Sequence, residues 1–141
     1  MTEASVVADT SGLLVLFDGA HRDHDRVQGL VLGLDRPLVV PGPVLVELDH
    51  LSHRFGRRGI RTLLADLEAG AYDFEPVDST DLPAILALRD RYRSLDPGYV
   101  DLAVVRVAER LGTVRILTFD RRDFRVLRAG RRPFLLLPED E

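Results

Sequence analysis

The chain has 141 residues, 45% apolar and 30% charged, with a net charge of −4, which fits one globular domain with a sizeable core and argues against indiscriminate coating of nucleic acid. No cysteine is present, so disulfides, zinc–thiolate sites and thiol nucleophiles are excluded. All 19 basic residues are arginine, which removes a P-loop, Schiff-base chemistry and the lysine of a phospho-receiver.

The opening "MTEASVVAD" has an early acid and no basic flank before a long apolar run, so no signal peptide is expected. No apolar stretch approaches the roughly 18 residues of a membrane span. The absence of cysteine suits a reducing, cytoplasmic setting.

Residues 1–141 read as one domain without repeat or linker. "SVVAD", Ser5 to Asp9, is short and β-branched and predicts a buried strand. Thr10 to Asp18 predicts a helix, and His21 to Leu34 a second, with Val27, Leu30, Val31 and Leu34 at helical spacing. "PLVVP" is a strand whose ends are marked by Pro37 and Pro41. Pro43 then opens a helix with the stripe Val44, Leu48, Leu51 and Phe55, reaching about Arg57. A further helix spans about Gly59 to Glu68, and "YDFEPV" is a weaker third strand.

Ser79 or Thr80 is expected to cap a helix carrying Leu82, Ile85, Leu86 and Leu88. Tyr99 to Leu111 is a strong helix stopped by Gly112. "VRILTF" is the fourth strand and "FLLL" the fifth. Alternating strands and helices predict an α/β fold with a mostly parallel sheet covered on both faces, whose ligand edge is the carboxyl end of the strands.

Most acids lie in polar turns or on polar helix faces, including Asp78 and Asp81. Four do not. Asp9 and Asp120 end strands, Glu47 lies on an apolar helix stripe, and Asp101 shares a face with Val104, Val105 and Ala108. Asp9 and Asp120 could instead be helix or turn caps, and Glu47 and Asp101 could border their stripes and reach water. Four carboxylates converging on one cleft would repel one another unless a divalent cation sat among them; hard oxygen donors suit Mg²⁺ or Mn²⁺. Such a centre can cut a phosphodiester. Glu47-x-x-His50 and the pairs His21/His24 and His50/His53 are weaker alternatives; a di-iron site needs two Glu-x-x-His copies.

Four segments, in order, resemble the PIN-domain ribonucleases, and among them the VapC-type toxins of bacterial toxin–antitoxin pairs: "VVADTSGLLVLFDG", "PLVVPGPVLVELDHL", "YVDLAVVRVAERLG" and "RILTFDRRDF". The resemblance implies a three-layer α/β/α fold and an Mg²⁺- or Mn²⁺-dependent endoribonuclease. Asp9, Glu47, Asp101 and Asp120 match its catalytic acids. Asp9, Asp101 and Asp120 would hold the metal, while Glu47 completes the shell or helps deprotonate the attacking water. Thr10 or Ser11, and Thr118, match supporting hydroxyls. Asp96 is an alternative to Asp101, and Asp123 reads as a cap or an arginine partner.

In-line attack would leave a 5′-phosphate and a 3′-hydroxyl. Arg121, Arg122 and Arg125, with the arginines up to Arg132, are either a solvated face or an RNA-backbone rim. A second group is Arg54, Arg57, Arg58 and Arg61. The resemblance also implies an RNA substrate, a small antitoxin partner and a homodimer. A catalytically silent PIN-like scaffold, or a cellular RNA-processing nuclease without an antitoxin, are the alternatives.

Overall fold

The computed structural model of the chain describes residues 4–54 and 58–141, with backbone alone at residue 54. Phe55, Arg57 and the side chain of Arg54 therefore lie outside the described residues.

Five short strands form one sheet: β1 (Val6–Ala8), β2 (Val39–Pro41), β3 (Asp73–Glu75), β4 (Arg115–Leu117) and β7 (Leu135–Leu137). Their order is β3-β2-β1-β4-β7, and every neighbouring pair is parallel. Val7 at the centre pairs with Val39 on one side and Ile116 on the other. The middle strands are buried because helices cover both faces, which is why they read as unbroken β-branched runs.

The helices are α1 (Thr10–Phe17), α2 (His24–Leu32), α3 (Gly42–Leu51), α4 (Arg58–Glu68), α5 (Leu82–Arg91), α6 (Tyr99–Leu111) and the short α7 (Arg121–Phe124). Helix α6 lies against β1 and β2, with α5 and α3 packed on it; α1 packs on α2 and α3. The buried face of α6, from Leu102 to Ala108, fills the core, and Gly112 ends the helix at φ 70°. The three-layer α/β/α architecture expected from the sequence is the one observed.

The differences have local causes. Helix α2 is shorter than its apolar spacing because His21 to Asp23 form a turn. Helix α3 gives way at Ser52 to a 3₁₀ turn rather than running on. Neither Ser79 nor Thr80 is the cap before α5. Asp78 instead caps the 3₁₀ turn Ser79–Asp81 that leads into α5: its carboxylate accepts from Thr80 N at 2.9 Å, while Asp81 accepts from Asp78 N at 3.1 Å, a reciprocal capping box. Strands β5 (Arg128–Ala129) and β6 (Arg132–Pro133) form an antiparallel hairpin that the sequence reading omitted.

Asp81 is no ordinary turn acid either. It is fully buried and takes Arg106 Nε at 2.8 Å and Arg110 Nη1 at 2.9 Å. Burial alone would raise its pKa, but these arginines and the Asp78 amide outweigh it and hold the pKa below the usual value. The two arginines tie the start of α5 to the second half of α6. Among the described residues, no helix is long and apolar enough to cross a membrane.

One glycine sets how closely the first helix meets the sheet. A Cβ on Gly12 would lie 2.4 Å from the Leu117 carbonyl oxygen. Only a hydrogen fits there, so α1 rests directly on the end of β4, and Asp9 N donates to that same carbonyl at 2.9 Å. Gly12→Ala must push α1 off the strand. The expected cost is about 1–3 kcal/mol in denaturant unfolding; an unchanged midpoint would contradict this close approach.

Candidate active site

Parallel strands deliver their carboxyl ends to one edge. Asp9 follows β1, and Thr118 to Asp120 follow its neighbour β4. Asp101 sits in the first turn of α6, and Glu47 on α3 after β2.

At the centre, Asp9 is 4% exposed. Its Oδ2 accepts from Ser11 Oγ at 3.0 Å and from Thr118 Oγ1 at 2.8 Å. The hydroxyls are themselves oriented: Phe119 N donates to Ser11 Oγ at 2.9 Å and Asp120 N to Thr118 Oγ1 at 3.0 Å. Each hydroxyl accepts from the main chain and donates its one hydrogen toward Asp9, with the two hydroxyl oxygens 3.1 Å apart. Asp9 is the N-cap residue of α1 by position, yet its side chain makes no cap bond. It faces the site instead. Thr10 Oγ1 is buried with no hydrogen-bond partner, so of the two neighbouring hydroxyls it is Ser11 that meets Asp9.

Asp101, Asp120 and Asp123, each half-buried, offer one carboxylate oxygen apiece within 4.8 Å of one another. Burial, first, and then the charges of Asp9, Asp120, Asp123 and Glu47 push the Asp101 pKa up to about 7. Burial also raises Asp9 above the usual value, against the pull of the Thr118 and Ser11 bonds, and Asp120 adds to the rise. The charges of the other three acids singled out in the sequence, Asp9, Glu47 and Asp120, thus all act on Asp101, though Asp9, expected as a metal ligand, and Glu47 lie outside the group of three. No ion pair to an arginine neutralises Asp9, Asp101 or Asp120 among the described residues.

Asp123 corrects the sequence reading. It was expected to cap or to pair with arginine. Its carboxylate does neither among the described residues; the cap of α7 is Asp120, which accepts from Asp123 N at 3.4 Å. The signal was available as spacing: a carboxylate three residues after Asp120 on a helical turn returns to the same side. Asp96, the alternative to Asp101, is exposed in a left-handed turn (φ 51°) and bonds Arg89 at 3.2 Å. His50 and His53 meet edge to face at 6.3 Å, and His24 Nδ1 bonds the Val15 carbonyl; no histidine joins the group of three.

The arginines divide. Arg121 pairs with Glu139 at 2.8 Å and lies over the Phe119 ring. Arg125 clasps Asp140 with both nitrogens, at 2.6 and 2.7 Å. Those bonds, with the Leu136 amide, pull the Asp140 pKa down to about 2. Arg122 is exposed and carries no ion pair among the described residues.

No family model matches the chain. Ribonuclease VapC26 of Mycobacterium tuberculosis is 33% identical over 135 residues, 94% of this chain and 100% of that protein. The chain belongs to the VapC ribonuclease family. It is therefore an endoribonuclease of the kind that acts as the toxin of a toxin–antitoxin pair. Solved structures agree on the fold of this VapC chain. VapC20 of M. tuberculosis, a sarcin–ricin loop cleaving toxin, aligns over 84% of this chain and 92% of its own at TM-score 0.75 and 20% identity. A toxin–antitoxin complex from Klebsiella pneumoniae aligns over 89% and 94% at TM-score 0.68 and 16% identity.

The donor set of this VapC chain suits a hard divalent cation: carboxylate oxygens, close together, partly desolvated and without a cationic partner. Without the cation, the raised Asp101 pKa makes stability fall with pH. Between its unfolded value of 3.8 and about 7, the folded chain keeps a proton that the unfolded chain has released. Stability from this group is thus lost as pH rises through that window and is level above it. In chelator, the melting temperature of the wild type should drop more between pH 5 and pH 8 than that of Asp101→Asn. Parallel profiles would contradict the coupling.

Proposed function

We propose that this VapC chain cuts RNA with a Mg²⁺ or Mn²⁺ ion held by Asp101 and Asp120, with Asp9 and Asp123 completing the oxygen donors. The observation that carries this reading is the meeting of Asp101, Asp120 and Asp123 oxygens within 4.8 Å, beside the buried Asp9, with no arginine to answer them among the described residues. A cation at this position would neutralise charge on the scissile phosphodiester and lower the pKa of the attacking water.

The chain's own groups do the rest. Ser11 and Thr118 hold Asp9 in one orientation by donating to the same oxygen. Glu47, half-buried and close enough to raise the Asp101 pKa, takes the proton from the attacking water. In-line attack leaves a 5′-phosphate and a 3′-hydroxyl. Arg122 meets the RNA backbone; Arg121 and Arg125 reach it only by leaving Glu139 and Asp140.

We also propose that the chain acts in the cytoplasm as a homodimer and that a small antitoxin restrains it. The resemblance to VapC toxins and the likeness to a toxin–antitoxin complex support this.

Millimolar Mg²⁺ or Mn²⁺ should raise the melting temperature. At tenfold excess over the dissociation constant the gain is about 1.4 kcal/mol, roughly 3–5 °C for a chain of this size. Total RNA should show discrete cuts that vanish in Asp101→Asn and fall at least about a hundredfold in Glu47→Gln. Metal binding without cleavage would leave a silent scaffold, and equal cutting by Asp101→Asn would place the chemistry elsewhere.

A further inference from the structure

The arginine run near the end of the chain is split by the fold. Its first part, Arg121 and Arg125, is bound to the carboxylates of Glu139 and Asp140. Its second part forms the β5–β6 hairpin and docks on a segment far earlier in the chain. Arg128 N donates to Tyr92 Oη at 3.1 Å, and Arg91 Nη1 donates to the Gly130 carbonyl at 3.3 Å.

These two bonds join the segment that carries Arg91 and Arg93 to the hairpin that carries Arg128, Arg131 and Arg132. All five are exposed, and none is held in an ion pair among the described residues. Residues 89–96 and 128–132 together hold six arginines against two aspartates, an excess of four positive charges in a chain whose net charge is −4. One of those aspartates, Asp96, is already bonded to Arg89.

Both segments connect directly to the acid cluster. The chain after Arg93 runs into the first turn of α6 and Asp101, and the chain after α7, with Asp123, runs into Arg128. We propose that Arg91, Arg93, Arg128, Arg131 and Arg132 form a second contact for the RNA phosphate backbone, away from the bond that is cut. This rests on the nuclease reading of the acid cluster. Phosphate is the occupant the chemistry favours. Guanidinium forks bind two oxygens each. The one aromatic between the two segments, Tyr92, is half-buried with its hydroxyl engaged by Arg128 N, so it offers no platform for a stacked base.

The test uses Arg93→Gln, Arg131→Gln and Arg132→Gln combined, since no side-chain hydrogen bond or ion pair ties these three among the described residues. Binding is measured in the Asp101→Asn background, so that the RNA stays intact. On a single strand of about thirty nucleotides, the triple variant should bind at least about tenfold more weakly at low salt, and the slope of log K against log salt should shrink by about 2. With Asp101 restored, an oligonucleotide just long enough to span the cut should be cleaved at the wild-type rate, and the long strand with a raised KM. Thermal melts check that the triple variant is folded.

An unchanged slope and affinity would overturn the proposal. So would equal loss on short and long substrates, which would mean damage to the acid cluster itself. Poly-glutamate binding that the triple substitution abolishes, with RNA binding untouched, would assign the patch to an acidic protein and likewise overturn it. The two readings fail separately. If the patch is idle, cleavage still depends on Asp101; if the acid cluster is not the nuclease centre, cutting survives Asp101→Asn while the slope still falls.

Discussion

Repulsion between carboxylates is the constraint around which this fold is organised. Two unit charges at the 4.8 Å that bounds the Asp101, Asp120 and Asp123 oxygens repel by about 3.5 kcal/mol at an effective dielectric of about 20. The chain brings Asp9 and Glu47 into the same field. Partly buried carboxylates without a cationic partner cost stability, so packing alone does not account for acids there. The arrangement therefore calls for a positive charge that no side chain supplies among the described residues.

The same chain shows what it does when a buried acid is structural. Asp81 is as buried as any residue in the molecule, and two arginines answer it. Asp140 is likewise clasped by Arg125. With 19 arginines to draw on, the acid cluster still has no such partner among the described residues. Asp81 is answered by two arginines of α6 and Asp101, among the described residues, only by other acids, and their pKa values move in opposite directions. That contrast sets a fold-stabilising acid apart from one that, on the proposed reading, is kept free for a cation.

Most of this was legible in the sequence where a residue's neighbours in the chain are also its neighbours in space. Asp9 and Asp120 stand at the ends of β-branched or apolar runs, and Asp101 interrupts the apolar face of a long helix, so each was conspicuous. The five strands and the strong α6 helix were readable for the same reason. Asp123 was missed because α7 is a single turn, too short to show a period, inside a run of arginines that looks like surface. Asp81 was misjudged because its partners lie 25 and 29 residues away on another helix. The β5–β6 hairpin escaped because two-residue strands have no alternation to read, and with it went the docking of that hairpin on the segment carrying Arg91 and Arg93.

The central claim is that the gathered acids share one cation. Crystals soaked in Mn²⁺ and measured at a wavelength where manganese scatters anomalously test it most directly. The account predicts a peak within about 2.3 Å of carboxylate oxygens from Asp101 and Asp120, which disappears in Asp101→Asn. No peak at that edge of the sheet at saturating Mn²⁺, or an undiminished one in the variant, would contradict it.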